Sequence, residues 1–131
     1  MSGYSVPGVT TQGYDVADGS GVAKFTFVKF TAEGVVGTCT AATDKACGVA
    51  MLSVTDANRD RGEGVPVLID GIAEMEVGTG GIAFGDEVTT DSAGKAVVAA
   101  TGNRILGQCH RGASAGQRGA VLLNIPGSIK P

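Results

Sequence analysis

The chain has 131 residues, a net charge of −3 and a composition that is 43% hydrophobic and 18% charged. Such a chain is long enough to bury the core of one domain and too apolar to be a disordered charged tail. It has no run of Lys or Arg and so lacks the basic stripe with which nucleic-acid-binding proteins neutralise phosphates; we expect no nucleic-acid partner.

The first 21 residues differ in composition from the rest of the chain. They are rich in Gly, Ser and Thr, contain no Lys or Arg, and show no lasting apolar period. A frayed terminus is one interpretation. We favour an extended N-terminal arm over residues 1–21 that becomes ordered on a partner, because apolar and aromatic side chains recur along it. The candidate contact residues of this arm are Tyr4, Val6, Val9, Tyr14 and Val16.

Residues 22–131 are predicted to form a single all-β domain. The chain contains 22 glycines, and its longest stretch without one is 49–61, which leaves little room for long helices. Short runs of β-branched and aromatic residues alternate with turn residues, which predicts a small Gly-rich β-barrel or sandwich of about nine strands. These runs cover residues 22–31, 34–40, 46–54, 65–70, 72–77, 87–91, 95–99, 104–110 and 118–125.

Two of these runs carry local detail. In the first, Phe25 and Phe27 are expected on one face of a strand, because side chains two residues apart point the same way. Between the sixth and seventh runs, the stretch from Asp91 to Gly94 is predicted to be a hairpin turn.

The sequence also contains a faint internal similarity. One segment begins near Thr43 and another at Thr101; in each, a strand centred on Gly48 or Gly107 leads through a polar loop to a strongly apolar strand. Two similar β-halves would explain this pattern, and so would chance.

No apolar run approaches the length of about 18 residues that a membrane-spanning helix needs, and the N-terminus lacks the pattern of a signal peptide. We therefore expect no membrane partner and synthesis in the cytoplasm. The three cysteines, Cys39, Cys47 and Cys109, are interpreted as small buried hydrophobic residues. A Cys39–Cys47 bridge across a hairpin remains an alternative.

The sequence offers no assembled catalytic or cofactor site. His110 is the only histidine, and its neighbour Cys109 should point to the opposite face of a strand. Gly94-Lys95-Ala96 lacks the Ser or Thr of a phosphate-binding loop, and no helix is expected after Gly78-Thr79-Gly80-Gly81 to complete a dinucleotide site. We therefore expect no catalytic residues, no cofactor and no enzyme activity.

Two pairs of carboxylates could in principle hold a cation. Glu74 and Glu76 lie two residues apart on one strand face, and Asp86-Glu87 occupies a predicted turn. The alternation of charged and apolar residues explains the first pair as a solvated face, with a cation or intersubunit contact as the alternative. No metal site is expected at either pair.

Residues 46–125, about 60% of the chain, contain an ordered series of short motifs. In chain order they are Gly48-Val49-Ala50, Asp56-Ala57, Gly64 with Val65 and Val67, Gly71-Ile72-Ala73, Gly85-Asp86-Glu87-Val88, Asp91 to Lys95, Ile105-Leu106-Gly107 and Val121-Leu122-Leu123. Each motif alone is a common β-turn or strand pattern, but their order and spacing together resemble those of the small decoration (cement) proteins of tailed-phage capsids.

The resemblance implies a structural virion protein on the outer capsid surface, made in the host cytoplasm. It further implies a homotrimer that binds the major capsid protein and stabilises contacts between its subunits, without enzyme activity or cofactor. Pro66 departs from the family pattern and suggests an edge strand or a bulge. We expect residues 2–20 to attach by adding a strand to a capsid sheet.

Two other functions fit a β-rich chain. One is a head-fibre or adhesin-type binding module that uses its loops, such as residues 59–64, on a cell-surface ligand. The other is a trimeric β-barrel nucleotide hydrolase, for which no motif set is found in the sequence.

Overall fold

The computed structural model describes residues 11–17, 19 and 21–131, and their regular secondary structure is almost entirely β. The predicted all-β class is confirmed, and the only helix in the described residues is five residues long. The elements are β1 (Thr11–Val16), β2 (Phe27–Ala32), β3 (Val35–Thr38), β4 (Ala46–Ala50), α1 (Asp56–Asp60), β5 (Val65–Leu68), β6 (Ile72–Glu76), β7 (Glu87–Thr90), β8 (Ala96–Val98), β9 (Arg104–Arg111) and β10 (Arg118–Ile129).

The strands form two five-stranded units. The first is a closed barrel with the order β1-β3-β2-β4-β5, in which β5 returns to β1 and only the β1–β3 pair is parallel. The second has the order β6-β10-β9-β7-β8. A parallel bridge between Val77 and Ala96 brings its two outer strands together. We call the two units the first barrel (β1–β5) and the second barrel (β6–β10).

The two barrels have the same topology. Each strand of the first has a counterpart five strands later, so that β1 corresponds to β6, β2 to β7, and so on to β5 and β10. The parallel β1–β3 pair corresponds to the Val77–Ala96 bridge. The internal similarity in the sequence is therefore the trace of two equivalent β-halves, and the structure extends it over both barrels.

The register of the strands agrees in detail. In the first barrel, one row of residues runs across β1, β5, β4 and β2; in the second, the matching row runs across β6, β10, β9 and β7. The first row is Thr11, Leu68, Val49 and Phe27, and the second is Ile72, Leu122, Gln108 and Glu87.

The segment before β2 is not the strand that the sequence predicted. Phe25 has a φ of 64°, in the left-handed region, and the strand begins only at Phe27. The equivalent residue in the second barrel is Gly85, with a φ of 87°. Phe25 donates its N–H to Ala50 O at the end of β4, and Gly85 donates its N–H to Cys109 O in β9. Since the chain turns at Phe25, the expectation that Phe25 and Phe27 share a strand face is wrong: Phe27 is buried, and the Phe25 ring lies beneath the Arg118 guanidinium at 4.6 Å.

The core has two parts. Eight buried residues fill the first barrel, among them Val16, Val28 and Val36. The larger cluster fills the second barrel and continues onto the outer surface of the first, where it includes Phe27 and Val49. Backbone groups tie the barrels together as well: Phe27 donates its N–H to Gly94 O at 2.7 Å, and Arg104 donates its N–H to Ala42 O at 2.7 Å.

The only helix in the described residues, α1, lies in the longest glycine-free stretch. Thr55 and Asn58 cap it reciprocally, each side chain accepting the other's backbone N–H. The predicted strand 46–54 therefore ends at Ala50, because the chain turns into this capped helix. The hairpin turn predicted from Asp91 to Gly94 is confirmed by the bond from Asp91 N–H to Lys95 O at 2.9 Å.

The edge strand suggested by Pro66 is wrong, because β5 pairs with β1 on one side and β4 on the other. The Pro66 carbonyl accepts the N–H of Met51 at 2.9 Å, just beyond the end of β4 at Ala50. The N and the C=O of one strand residue point to the same side of the strand, so the Pro66 nitrogen also faces Met51. Because Met51 lies beyond the end of β4, the absence of an N–H on Pro66 removes no hydrogen bond from β4.

Part of the predicted N-terminal arm lies in the barrel. Residues 11–16 form β1, which pairs with β3 and β5 and closes the first barrel. Residues 1–10 lie outside the described residues. Among the described residues, no helix is long and apolar enough to cross a membrane.

Candidate interaction surfaces

One end of the first barrel exposes apolar side chains. The Tyr14 ring packs edge-on against Phe30, with ring centroids 5.1 Å apart and planes at 89°, and Phe30 is 51% exposed. These two rings lie two residues beyond the buried Val16 and Val28 and so continue the interior rows of the barrel to its rim. We call this surface the open end; it consists of Tyr14, Phe30, Cys47 and Ile69.

The open end borders a cleft of about 450 Å³. The final strand, β10, forms the opposite side of the cleft through Ile125 and Pro126, and Lys45 adds a charge. The cleft is therefore apolar, with a single cationic group among its lining residues.

A second apolar surface lies on the outside of the second barrel. Neighbouring strands β6 and β10 place Ile72 and Leu122 side by side, and Leu122 is 46% exposed. The same row continues through Gln108 to Glu87, whose carboxylate pairs with the Lys130 ammonium. We call this row the outer wall; it consists of Ile72, Leu122, Gln108 and Glu87.

Phe84 is 80% exposed beside the outer wall, in a second cleft of about 270 Å³ that His110 and Leu122 also line. So exposed an aromatic ring contributes little to the fold, and large exposed apolar patches mark contact surfaces. Phe84, Leu122 and Ile72 are the exposed apolar residues of this surface.

The carboxylates on β6 behave as predicted for a solvated face. Arg118 Nε lies 2.7 Å from Glu76 Oε2, and Arg118 Nη1 lies 3.9 Å from Glu74 Oε2. The intervening Met75 is fully buried. In the described part of the chain, no group of three or more His, Cys, Asp or Glu side chains is placed to hold a metal ion.

The three cysteines are free thiols, so the alternative of a Cys39–Cys47 bridge is wrong. Burial raises the pKa of Cys39 to about 12 and that of Cys47 to about 11, and burial raises the pKa of Cys109 as well. His110 is exposed whereas Cys109 is buried, as strand alternation predicts, and the two side chains do not form a dyad.

The structure places the predicted contact residues in different environments. Val16 is 4% exposed and packs inside the first barrel, so it serves the core and offers no surface to a partner. Tyr14 is half-buried at the open end. The remaining three, Tyr4, Val6 and Val9, lie outside the described residues.

Sequence reasoning missed Phe30 and Ile69 at the open end, Leu122 in the outer wall and Phe84 beside it. All four lie in or beside runs that the sequence predicts as strands with buried side chains. Alternation with a period of two residues shows which face of a strand is buried, but not which end of a barrel is covered by other residues. The sequence feature that could have helped to identify them is the internal similarity, because aligning the two halves shows apolar residues at some positions of one half where the other half has polar ones.

The chain has a known structural counterpart. Its fold is similar to the crystal structure of the head fiber gp8.5 N base in bacteriophage phi29, with a TM-score of 0.67 and 16% sequence identity over 92% of this chain and 98% of that chain. No protein-family model matches the sequence, and no curated protein matches it. The chain therefore shares its fold, across nearly the full length of both proteins, with the base of a phage head fiber.

Proposed function

We propose that the chain is a structural protein of a tailed-phage head, which binds the outer capsid surface and stabilises contacts between major-capsid subunits without catalysing a reaction. The observation that carries this proposal is the fold shared with the phi29 head fiber base over 92% of the chain. The ordered motifs of residues 46–125, which resemble decoration proteins, point to the same class of particle.

The surfaces of the protein suit such a role. The open end and the outer wall expose large apolar side chains, including Phe30 and Leu122, on opposite barrels of one packed body. Contacts of this kind are individually weak, but many copies on a symmetric shell reinforce one another.

We further propose that the N-terminal segment makes the attachment to the major capsid protein, through Tyr4, Val6 and Val9. The segment leads into β1 at Thr11, so a partner strand bound there would lie close to the barrel. An extended segment binds through main-chain hydrogen bonds when it adds to a sheet edge, and its apolar side chains give specificity. In this proposal the protein acts on the capsid as a homotrimer.

Co-sedimentation with expanded, undecorated capsids tests the proposal. The protein should pellet with capsids in a saturable manner, and the triple substitution Tyr4→Ala, Val6→Ala and Val9→Ala should abolish pelleting. Leu52→Ala is the matched control, since Leu52 is 56% exposed on a loop and belongs to neither surface, and it should bind as the unchanged protein does. Failure of the unchanged protein to pellet at low and moderate salt would refute capsid binding.

A second candidate is the base of a head fibre, which the same structural likeness favours. Stoichiometry separates the two functions. A decoration protein saturates at a number of copies comparable with that of the major-capsid subunits, whereas fibre bases occupy a small subset of positions. The saturation point of the same co-sedimentation experiment distinguishes them.

A further inference from the structure

The end of the second barrel that corresponds to the open end is covered. The strand registers are equivalent, since Phe30 pairs with Val36 in the first barrel as Thr90 pairs with Ala96 in the second. By the same correspondence, Tyr14 matches Met75 on β6, Cys47 matches Leu106 on β9, and Ile69 matches Leu123 on β10. All four counterparts of the open end, Met75, Thr90, Leu106 and Leu123, are buried.

The outer surface of the first barrel provides this cover. Phe27, Ala46 and Val49, which point away from the interior of the first barrel, belong to the same core cluster as Met75 and Leu106. Within one chain, therefore, a barrel end packs against a barrel wall.

The corresponding wall of the second barrel is exposed. Phe27 and Val49 correspond to Glu87 and Gln108 of the outer wall, and the adjacent Leu68 corresponds to Leu122. Each chain thus has one barrel end and one barrel wall that pack together internally, and a second, equivalent pair of surfaces that face solvent among the described residues.

From this equivalence we propose that the open end of one copy packs against the outer wall of a second copy, in a head-to-tail contact that repeats the internal one. The occupant of the open end is then Leu122 of the neighbouring chain, whose counterpart Leu68 packs against the internal core cluster, with Ile72 beside it in the same row. A contact between two different surfaces is heterologous, so it closes into a ring or continues as a chain according to its rotation.

The contact is weaker than the internal packing, and its composition explains why. Glu87 and Gln108 stand where the internal wall has Phe27 and Val49, and polar groups cost free energy when they are removed from water. The association is consequently reversible and depends on protein concentration. This inference rests on the internal equivalence of the barrels and is independent of the proposed function.

Sedimentation velocity on the full chain without capsids tests the contact. The mass of the unchanged protein should rise with concentration up to about 1 mM, at which a contact with a millimolar Kd is half-formed. Phe30→Asp, which breaks the open end, and Leu122→Asp, which breaks the outer wall, should each remain monomeric. Leu52→Asp, an exposed apolar position outside both surfaces, should associate as the unchanged protein does.

Mixing the two monomeric variants gives the sharpest result. The Phe30→Asp chain keeps an intact outer wall and the Leu122→Asp chain keeps an intact open end, so an equimolar mixture should form a one-to-one dimer of twice the monomer mass. A mixture that stays monomeric would overturn the proposal, as would an unchanged protein that is monomeric at every concentration.

Other occupants of the open end predict different outcomes. If two open ends pack together, Leu122→Asp alone will still dimerise. If residues 1–10 of the same chain cover the open end, Phe30→Asp and the unchanged protein will have the same mass.

Ile69→Asp and Ile72→Asp form a second pair of variants on the same two surfaces. They replace the first pair if Phe30→Asp or Leu122→Asp loses its cooperative thermal transition.

Discussion

Gly48 and Gly107 occupy equivalent positions in the two barrels and face the same obstruction. A Cβ atom on Gly48 would lie 2.4 Å from Val67 Cγ1 and 2.5 Å from the carbonyl oxygen of Leu68. A Cβ atom on Gly107 would lie 2.6 Å from a valine methyl and 2.5 Å from a carbonyl oxygen of its own neighbouring strand, β10. The two halves of the chain thus share a side-chain-free position that lets a neighbouring strand approach closely.

We expect Gly48→Ala and Gly107→Ala to lower the free energy of unfolding by similar amounts, about 1–3 kcal/mol each, because the added methyl meets backbone as well as a side chain. Gly13→Ala is the control: Gly13 lies in β1, and a methyl group added there would have nothing within 4 Å, so its effect should be small. Urea titrations of the three variants measure the differences. A neutral result at Gly48 or Gly107 would contradict the equivalence.

Asp44 holds the loop between β3 and β4. Its partial burial raises its pKa, but the backbone N–H of Thr40, the Lys29 ammonium and the backbone N–H of Ala41 donate to its carboxylate and outweigh that effect. The net result is a pKa below the usual 3.8. Ionised Asp44 therefore stabilises the folded state.

We expect Asp44→Asn to cost about 1–2 kcal/mol of unfolding free energy at pH 7, because Asn accepts these hydrogen bonds less well than a carboxylate. Since the folded pKa is lowered, this stabilisation is present above about pH 4 and disappears as the pH falls through the folded pKa. Guanidinium titrations from pH 7 to pH 3 should find the two proteins converging. Glu33→Gln, on the exposed β2–β3 turn, is the control; a difference at Asp44 that does not depend on pH would contradict the role of its charge.

The thiols provide a test of the core. Cys39 and Cys109 are buried and Cys47 is half-buried, and burial raises the pKa of all three. Because the thiolate is the reactive form, labelling of the native protein at pH 8 should be slow, with Cys47 the first to react. In guanidinium without reductant, all three should label rapidly. Recovery of a single reactive thiol there would indicate a disulfide and contradict the structure.

The N-terminal boundary gives another prediction. Removal of residues 1–17 deletes β1, opens the first barrel and exposes an edge of β5, so it should lower the melting temperature by more than removal of residues 1–10, which leaves every described strand in place. Val16→Ala alone should lower the unfolding free energy by about 1–3 kcal/mol, because it removes buried methyl groups. Thermal melts followed by circular dichroism measure both effects. A barrel that survives the longer deletion unchanged would contradict the position of β1.

Strand positions were largely predictable from the sequence because their signals are local. From β3 to β10, alternation and turn residues marked each strand to within a few residues, including the hairpin at Asp91. The exceptions depend on contacts far along the chain. β1 has weak alternation and gains its stability from β5, some fifty residues away, and Phe25 adopts a backbone conformation that its own side chain disfavours.

The interaction surfaces were less predictable for a physical reason. Phe30 and Thr90 occupy equivalent positions, yet Phe30 is exposed and Thr90 is buried. The difference comes from what packs on each barrel end, and no local pattern encodes it. Only the internal similarity around Gly48 and Gly107 pointed to a duplicated fold, from which the two surfaces can be compared.

Cryo-electron microscopy of phage heads incubated with the protein tests the central claim most directly. We predict density for a pair of equivalent barrels at symmetry-related positions on the outer capsid surface, in contact with the major capsid protein. The Tyr4→Ala, Val6→Ala and Val9→Ala variant should leave those positions empty. Heads that carry no added density at saturating concentrations of the unchanged protein would contradict a role as a structural protein of the phage head.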